Sequence, residues 1–496
     1  MKKLIALAVG AAVSASAVPA DFGQKVEQLA KSQTTTLFGV LGALGASSSV
    51  QLSATQANAN PAGLLTVAPG LSVKVVSADP ALAPNIDQMA LWPNDINPTH
   101  IIACNEQGSG QIGVQSIEVA TGAVHTIILS GLTSCDPARR TPWGTIIVGE
   151  EAGTAGRVFE ILDPLNTTNV TVPSSGFGAS SDPAHVAALP ALGQFSFEGI
   201  GILPSGIVYL TDENRPGATA AGPGTPGGAI VKFIPTTLWS PGAPAITSLA
   251  DSPWNAGRIF GLRVGRNSAS TPDVGQGNEF GRGAWVEITG TAPINLRAAT
   301  NTLKLTAYYR PEDMSIDQKA LAAGTVRFCG TNTGQDTPVS LSSLADNHWG
   351  EVYCVNDGSV VAGQTITTSP QIWNGVTYTI NTSTIPEYQP LIFGNKDFAM
   401  PDNLDIQPGR NNFIVDEDGD GSGDTPKRNN DVFDCLDDGA DADQLSDACI
   451  KVMTLNDLTA EPTGGQFDGT GTRYFVSIQH NITGHGVILE VNGWLP

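Results

Sequence analysis

The sequence has 496 residues, of which 15% are charged, and it contains 56 glycines and 33 prolines. Its 25 Lys and Arg residues stand against 47 Asp and Glu residues, which gives a formal charge of −22. So acidic a surface repels nucleic acids and anionic lipids, and this excludes a polyanion-binding protein. Low charge with abundant turn residues is typical of many short strands joined by turns, and it predicts an all-β fold.

The first twenty residues have the pattern of a secretory signal peptide. Lys2 and Lys3 precede an apolar stretch and small residues, with a cleavage site after Ala17 or Ala20. We therefore expect a periplasmic or secreted protein, and no later stretch is long and apolar enough for a transmembrane segment. Residues 21–62 are small and polar, and we expect a flexible or tether segment, or a short helix.

A repeated pattern occupies residues 63–496. Each copy begins a short strand with an acidic or polar residue, passes a turn containing Gly or Pro, and ends a second strand in polar residues. The copies are WPNDINPTHIIACNEQ from Trp92, SCDPARRTPWGTIIVGEE from Ser134, FEGIGILPSGIVYLTDEN from Phe197, PEDMSIDQKALAAGTVRFCGTNT from Pro311, PDNLDIQPGRNNFIVDEDGD from Pro401 and TGGQFDGTGTRYFVSIQHN from Thr463. Six such units predict a six-bladed β-propeller with long inter-strand insertions, whose inner strands surround a central channel.

Acidic residues recur at both ends of the repeat. Those that open the first strand are Glu198, Glu312 and Asp402, and those that close the second strand are Glu150, Asp212 and Asp416. A single acid at such a place more often caps a turn. Because the acids recur in several units, they predict a cluster of carboxylates in the channel, and hard oxygen ligands suit calcium and ferric iron.

The stretch TPWGTIIVGEE, from Thr141 to Glu151, ends in two adjacent glutamates. Successive side chains of a strand point to opposite faces, but regular alternation often fails at a strand end. We expect Glu150 to turn into the channel as a direct metal ligand. Glu151 is then expected to reach a neighbouring ion or a hydrogen-bond donor behind it.

Six cysteines in an oxidising compartment predict disulfides. Cys329 and Cys354 lie in neighbouring strand-like runs, and Cys435 and Cys449 bracket an acidic loop, so these are the expected pairs. For Cys104 and Cys135 two readings stay open: they pair with each other, or one is a metal ligand. The acidic insertion, residues 416–450, begins with DEDGDGSGD, which is either a calcium-binding turn or a plain acidic loop.

Several short motifs follow one another along the chain. They are TPWGT followed by EE (Thr141 to Glu151), F-S-x-E (Phe195 to Glu198), Y-L-T-D-x-N (Tyr209 to Asn214), RPED (Arg310 to Asp313), PDN (Pro401 to Asn403) and IQH (Ile478 to His480). Together they resemble the PhoX-type alkaline phosphatases, from about Leu64 to the C-terminus. Their order and spacing carry the resemblance, because any one of these tripeptides alone would mean little.

The resemblance implies a propeller whose channel holds iron and calcium ions and hydrolyses phosphate monoesters of small molecules. On the matching positions, Cys135 is similar to the iron-binding thiolate, and Arg310 to the residue that grips the substrate phosphate, beside Glu312. The remaining implied metal ligands or their neighbours are Glu150, Glu198, Asp212, Asn214, Glu312, Asp402 and Asp416. A planar guanidinium matches phosphate oxygens two at a time.

Three features depart from the family pattern. The N-terminus has Lys2 and Lys3 where a twin-arginine signal is usual, Phe197 stands where a histidine is common, and Cys104 offers Cys135 a disulfide partner. The chain has no G-x-S-x-G elbow and no H-E-x-x-H zinc motif. The alternatives are a phosphodiesterase or phytase-like hydrolase on the same scaffold, and a non-catalytic calcium-stabilised surface propeller. We expect a monomer in each case.

Overall fold

A computed structural model describes residues 29–215, 227–264, 280–334, 349–373, 375–419, 428–439 and 445–495. The expected signal peptide lies outside the described residues, as does most of the DEDGDGSGD stretch. Within the described ranges, no helix combines the length and the apolar character that a membrane crossing requires.

Short strands dominate the described chain, as the composition predicts. In chain order they are β1 (Leu65–Val67), β2 (Ser72–Ser77), β3 (Ile86–Trp92), β4 (His100–Asn105), β5 (Val114–Glu118), β6 (Val124–Ser130), β7 (Cys135–Arg140), β8 (Ile146–Glu150), β9 (Val158–Ile161), β10 (Val170–Thr171), β11 (Val186–Ala188), β12 (Phe197–Ile202), β13 (Val208–Asp212), β14 (Ile230–Pro235), β15 (Gly257–Val264), β16 (Gly281–Ile288), β17 (Pro311–Ile316), β18 (Thr325–Asn332), β19 (Glu351–Ser359), β20 (Thr368–Trp373), β21 (Val376–Asn381), β22 (Glu387–Phe393), β23 (Pro401–Ile406), β24 (Phe413–Glu417), β25 (Asp431–Cys435), β26 (Cys449–Leu455), β27 (Glu461–Phe467), β28 (Arg473–Gln479) and β29 (Ile488–Asn492). The α-helices are α1 (Thr34–Leu37), α2 (Ala54–Ala59), α3 (Leu296–Leu303), α4 (Gln318–Ala322) and α5 (Val360–Gly363).

The strands form four sheets of four or five strands and one sheet of eleven. In the smaller sheets the strand orders are β10-β6-β5-β4-β3, β11-β9-β8-β7, β1-β26-β25-β24-β23 and β2-β29-β28-β27. The eleven-stranded sheet runs from β12 to β16 and then, through β22, back to β17. Neighbouring sheets bury apolar side chains between them, for example Trp143, Phe233 and Trp254 in one cluster. This burial is the main favourable term in folding.

One edge of each unit faces the middle of the molecule. The strands β3, β7, β12, β17, β23 and β27 contact one another in that order, and β27 returns to β3. The chain therefore has an all-β, propeller-like fold around a central channel. The six-blade count stays a prediction, because the pairing of β16 with β22 joins two of the units into one continuous sheet.

The same irregularity interrupts each of these inner strands. A register shift occurs at Ile86/Met89, Cys135/Ala138, Phe197/Ile200, Pro311/Met314, Pro401/Leu404 and Thr463/Gln466. A bulge of this kind leaves a residue unpaired and redirects its side chain. Repeated bulges are therefore a means of aiming side chains into the channel.

The N-terminal segment is packed rather than free, which corrects the expectation of a flexible or tether segment for residues 29–62. Phe38 and Ala57 are fully buried in the core that contains β26 and β28, and the Leu44 and Leu52 amides donate hydrogen bonds to carbonyls of residues 451 and 456. The short helix α2 has a capping box between Ser53 and Gln56. The segment thus covers the sheets formed by the C-terminal strands.

Three disulfides are present. Cys329–Cys354 and Cys435–Cys449 confirm the expected pairs, and each links directly opposed residues of two strands. Cys104–Cys135 joins β4 to β7 across two neighbouring sheets. The open question on these two cysteines is thereby answered in favour of pairing.

Loss of the Cys104–Cys135 bond is expected to destabilise the fold. It closes a loop with a sequence separation of 31, and the chain-entropy model gives roughly 2–5 kcal/mol for a native disulfide. We expect Cys104→Ala/Cys135→Ala to lower the urea midpoint of unfolding by a corresponding amount. An unchanged midpoint would show that the bond contributes nothing to stability.

Candidate metal centre

A cavity of about 360 Å³ lies at one end of the central channel. Its lining is almost wholly polar and mostly acidic. The lining residues are Asp87, Glu106, Asp136, Glu151, Glu198, Glu213, Arg215, Arg310, Glu312, Asp402, Asp418, Glu461, Gln479 and His480. Of the residues expected from sequence, this cavity brings together Glu151, Glu198, Arg310, Glu312 and Asp402.

The inner strands supply one set of these carboxylates. Each of them lies in the bulge of its own inner strand. They are Asp87 on β3, Asp136 on β7, Glu198 on β12, Glu312 on β17 and Asp402 on β23. On β27 the corresponding residue is Gly464, at φ +61°, where a Cβ atom would lie 2.3 Å from the carbonyl oxygen of Asp87. The bulge position of β27 is therefore closed to any side chain, and Glu461, the first residue of the same strand, supplies the acid on that side of the cavity.

The neighbouring strands supply a second set. Each member directly follows the last residue of the strand paired with an inner strand: Glu106 after β4, Glu151 after β8, Glu213 after β13 and Asp418 after β24. The backbone amide of each member donates a hydrogen bond to a carbonyl just before the inner strand, for example Glu151 to Ser134 at 2.8 Å. Both sets thus leave the same end of the sheets.

The acids expected to close the second strands lie outside the cavity lining, which corrects the expectation for three residues. Glu150 accepts hydrogen bonds from the Arg157 side chain, Asp212 from the Arg297 side chain, and Asp416 from the Tyr474 hydroxyl. Strand alternation persists to the strand end, so the residue after Glu150 or Asp212 faces the cavity instead. Glu151, Glu213 and Asp418 occupy the places expected for Glu150, Asp212 and Asp416.

Two further expected ligands are not in the cavity lining. The Cys135 sulfur is bonded to Cys104, so it offers no thiolate to a metal, and the adjacent Asp136 faces the channel in its stead. Asn214 accepts hydrogen bonds through its backbone carbonyl from the amides of Arg310 and Gly228. Its observed role is to join the end of β13 to the start of β17.

Asp136, Glu151 and Glu198 form the most compact group in the cavity. One carboxylate oxygen of each lies within 4.8 Å of the others, a spacing that a single cation can bridge. The Oδ1 atom of Asp136 is buried without a hydrogen-bond partner. Because an unpaired buried carboxylate oxygen is costly, this atom fits a missing cation.

The donor set also indicates which cation fits. The described cluster offers carboxylate oxygens, which suit calcium and other hard cations. Ferric iron held by a cysteine thiolate does not fit, because Cys135 is oxidised. Hard oxygen ligands alone do not distinguish calcium from an iron bound only by oxygen.

Burial makes the negative charges of the cluster costly. Burial and the neighbouring Glu106 raise the pKa of Asp87 to about 7, and burial with a hydrogen bond to Glu213 raises the pKa of Glu151 to about 12. Burial likewise raises the pKa values of Asp136 and Glu198 well above the usual range. Without a cation, the cluster would therefore hold protons at neutral pH.

Arg310 is the cation at the centre of this acidic surface. Its Nε lies 2.7 Å from Glu213 Oε1 and 2.8 Å from Glu312 Oε1, and its Nη2 lies 2.9 Å from Asp418 Oδ2. Burial alone would raise the pKa values of Glu213 and Asp418. Arg310 instead lowers the pKa of Glu213 to about 2. A hydrogen bond to Glu461, together with Arg310, lowers the pKa of Asp418 to about 2. The guanidinium is thus held between three carboxylates.

Three more polar residues stand at the margin of the cavity. Arg215 lies 3.9 Å from Glu213, and its Nε is buried without a hydrogen-bond partner. Gln479 donates to both Asp87 and Glu106. His480 lies 3.3 Å from Glu461, so this histidine does reach the channel.

The stability of the cation-free protein is expected to fall as the pH rises. A carboxyl whose pKa is raised by folding stabilises the fold below its unfolded pKa, and this contribution is lost as the pH rises through the folded value. With Asp87 at about 7 and Glu151 at about 12, the melting temperature in chelator should decrease between about pH 4 and about pH 8. A rise over that interval, measured by calorimetry, would contradict the raised pKa values.

A family model for alkaline phosphatase PhoX matches residues 109–481, which is most of the chain. The chain belongs to the alkaline phosphatase PhoX family. It is therefore a phosphatase, and PhoX phosphatases are metal-dependent. The resemblance of the sequence motifs is confirmed.

Other comparisons add little to the PhoX assignment. No curated protein sequence matches the chain. Among solved structures, a PQQ-bound aldose sugar dehydrogenase from Streptomyces coelicolor is 11% identical, covering 85% of this chain and 98% of its own, at a TM-score of 0.41. A gluconolactonase from Xanthomonas campestris is 11% identical, covering 91% of this chain and 99% of its own, at a TM-score of 0.37. Likenesses this weak carry no argument about function.

More than half of the residues that line the cavity are not predicted by the sequence pattern. Unrecognised lining residues include Asp87, Glu106, Asp136, Glu213 and Asp418. A signal for three of them was present, since Glu106, Glu213 and Asp418 stand where Glu151 stands in its own unit. Asp87 precedes the first copy of the repeated sequence pattern, which starts at Trp92, the last residue of β3. The pattern therefore does not include Asp87.

Proposed function

We propose that this PhoX-family phosphatase hydrolyses phosphate monoesters of small molecules at a calcium cluster in the central channel. The observation that supports it best is the convergence of Asp136, Glu151 and Glu198 on one point, in the same cavity as Arg310. A cation site and a guanidinium in one cavity suit a substrate that carries two negative charges. We further propose that the protein is exported to the periplasm or beyond and acts as a monomer.

The proposal includes the six-bladed count. The eleven-stranded sheet contains two inner strands, β12 and β17, each followed by its own antiparallel neighbours. The two halves meet through the short pairing of Gly281 and Arg282 with Tyr388 and Glu387. We interpret this sheet as two blades joined at their outer edges.

Asp136, Glu151 and Glu198 would hold one cation, and the neighbouring Glu312, Asp402 and Asp87 would hold others. Bound cations supply Lewis acidity toward the phosphoryl oxygens and offset the charge of the carboxylates. We propose calcium as the principal ion because every donor is oxygen. Iron remains part of the proposal only as an ion bound by oxygen ligands.

Arg310 is proposed to bind the phosphate. With cations in the cluster, Glu312 and its neighbours would share their charge between the cations and Arg310, which would leave the guanidinium available for two phosphoryl oxygens. In the hydrolysis, an oxygen–phosphorus bond forms to water as the ester oxygen–phosphorus bond breaks. A cluster carboxylate would accept one proton of the attacking water and pass a proton to the ester oxygen, so that the alcohol leaves and inorganic phosphate remains. Glu312, which is within 2.8 Å of Arg310, orients the guanidinium.

Chelation tests the proposal directly. Purified protein should release phosphate from an aryl phosphate, lose the activity in EDTA, and regain it with calcium, while elemental analysis finds calcium in the native protein. Calcium should also raise the melting temperature of the chelated protein, because a ligand that binds only the folded state stabilises it. Full activity in EDTA with no bound metal would refute the proposal. Cleavage of an aryl phosphodiester but not of the monoester would favour the phosphodiesterase alternative.

A further inference from the structure

Three pairs, each of a buried carboxylate and an arginine, lie directly beside the channel acids in the chain. Arg157 Nε and Nη2 each lie 2.6 Å from an oxygen of Glu150. Arg428 Nη1 and Nη2 lie 2.6 and 2.8 Å from the two oxygens of Glu417. The third pair is Arg297 with Asp212, whose oxygens both lie 3.0 Å from Nε.

The pairs occupy one equivalent position in three units. Glu150, Asp212 and Glu417 each end the second strand, opposite the first residue of the inner strand at Cys135, Phe197 and Pro401. In each unit the next residue along the chain is a channel acid, and these are Glu151, Glu213 and Asp418. Such a recurrence in three separate sheets is not explained by the packing of any one of them.

We propose that Arg157, Arg297 and Arg428 are positioning residues, which hold the cation-binding and arginine-binding acids of the channel in place through the residue before each of them. This rests on the proposed function, since it presumes that the channel binds cations. Consecutive strand residues share a rigid peptide, so a carboxylate fixed on one face fixes the direction of the next side chain on the other. Two hydrogen bonds from one arginine hold a carboxylate strongly and in a defined orientation.

The surroundings of the arginines support this role. Arg297 also donates to the backbone carbonyl of Glu213, at 2.6 Å, and therefore touches the channel acid itself. It stands in the first turn of α3, a helix capped by Asn295. Arg157 is fully buried and donates to the carbonyls of Gly131, Pro173 and Gly176. Arg297 and Arg157 thus make hydrogen bonds to backbone carbonyls in addition to those with their carboxylate partners.

The three positioned acids do not have equal tasks. Glu151 belongs to the compact group with Asp136 and Glu198. Glu213 and Asp418 are two of the three carboxylates around Arg310. Loss of Arg157 should therefore weaken cation binding most directly. Loss of Arg297 should affect both Arg310 and the cations, because Glu213 is hydrogen-bonded to Glu151, and loss of Arg428 should affect mainly the setting of Arg310.

Arg297 is the variant of choice, because its side chain is partly exposed and its loss need not prevent folding. Arg297→Ala and Arg297→Lys would be compared with Arg258→Ala, which breaks an arginine–glutamate pair with Glu287 on β15 and β16, away from the channel. Calcium affinity is measured by titration calorimetry on the chelated full chain. The melting temperature in EDTA measures the purely structural cost of each change.

We expect Arg297→Ala to weaken calcium binding by roughly 10-fold or more, the effect usual for residues that orient metal ligands, with Arg297→Lys intermediate and Arg258→Ala unchanged. If Arg297→Ala and Arg258→Ala both bind calcium like the wild type, the positioning role is refuted while the proposed function stands. If the unaltered protein itself binds no calcium, the proposed function fails first. Should Arg297→Ala not fold, Arg157→Lys is measured against the same control and decides in the same way.

Discussion

Replacement of Arg310 by alanine is expected to lower kcat/KM for an aryl phosphate by roughly 10³-fold, the lower end of what a phosphate-stabilising arginine contributes. The guanidinium is the most centrally placed cation of the described cavity, and three carboxylates hold it there. Arg310→Lys should recover only part of the loss, because an ammonium group cannot bind two phosphate oxygens in the same planar arrangement. The measurement is steady-state hydrolysis with calcium in excess.

The variant must be shown to fold before its activity is interpreted. Removal of Arg310 leaves Glu213, Glu312 and Asp418 without their shared cation, and this destabilises the calcium-free protein. A matched control is Arg140→Ala, which removes another partly buried arginine, paired with Asp95 at 2.7 Å near the opposite end of the channel. Full activity in a folded Arg310→Ala protein would end the role proposed for this residue.

Glu151→Gln is expected to reduce phosphatase activity by roughly 10²-fold, because a direct ligand should matter at least as much as the residues that orient ligands. The change conserves shape and removes one negative charge from the group formed with Asp136 and Glu198. The rise in melting temperature on adding calcium should shrink in parallel. Both effects are measured on the same preparation, by phosphate release and by calorimetry.

Glu287→Gln serves as the control for Glu151→Gln. Glu287 is paired with Arg258 outside the channel, so its loss should leave the calcium effect unchanged. If Glu151→Gln kept the full calcium-induced stabilisation, the compact group would not be a cation site. The cation site of the proposed function would then have to lie at other channel acids, such as Glu312 and Asp402.

The sequence predicts the strand content and the central channel, but it does not predict which of two adjacent side chains at a strand end faces the channel. Glu198, Glu312 and Asp402 were found because the pattern marks the start of each inner strand, where the bulge lies. The sequence pattern predicts Glu150 as the direct ligand, with Glu151 at a neighbouring ion or a hydrogen-bond donor, because irregularity is expected at that strand end, and it predicts Asp212 where Glu213 lines the cavity. Alternation in fact continues there, and it is maintained by Arg157 and Arg297, whose partners in space cannot be read from a local pattern.

Long-range pairings account for the other differences. The Cys104–Cys135 bond links two sheets, and sequence spacing alone left it open against a metal-bound thiolate. The joining of β16 to β22 depends on strands separated by five other strands in the chain, so no local signal could indicate a continuous eleven-stranded sheet. The packed N-terminal segment likewise depends on β26 and β28, which lie near the other end of the chain.

The pairing of β2 with β29 brings the two ends of the chain together in one sheet, and Lys74 and Glu490, 416 residues apart, form an ion pair across it. That sheet also carries Glu461 and Gln479 into the cavity. The cavity therefore lacks Glu461 and Gln479 until β27 and β28 have been synthesised and β29 has closed their sheet by pairing with β2. Contacts so distant in sequence form slowly, and a metal site that is absent from the unfolded chain adds its binding energy to folding. Cations should therefore bind at the final step of folding. A chain truncated before β29 should not bind them.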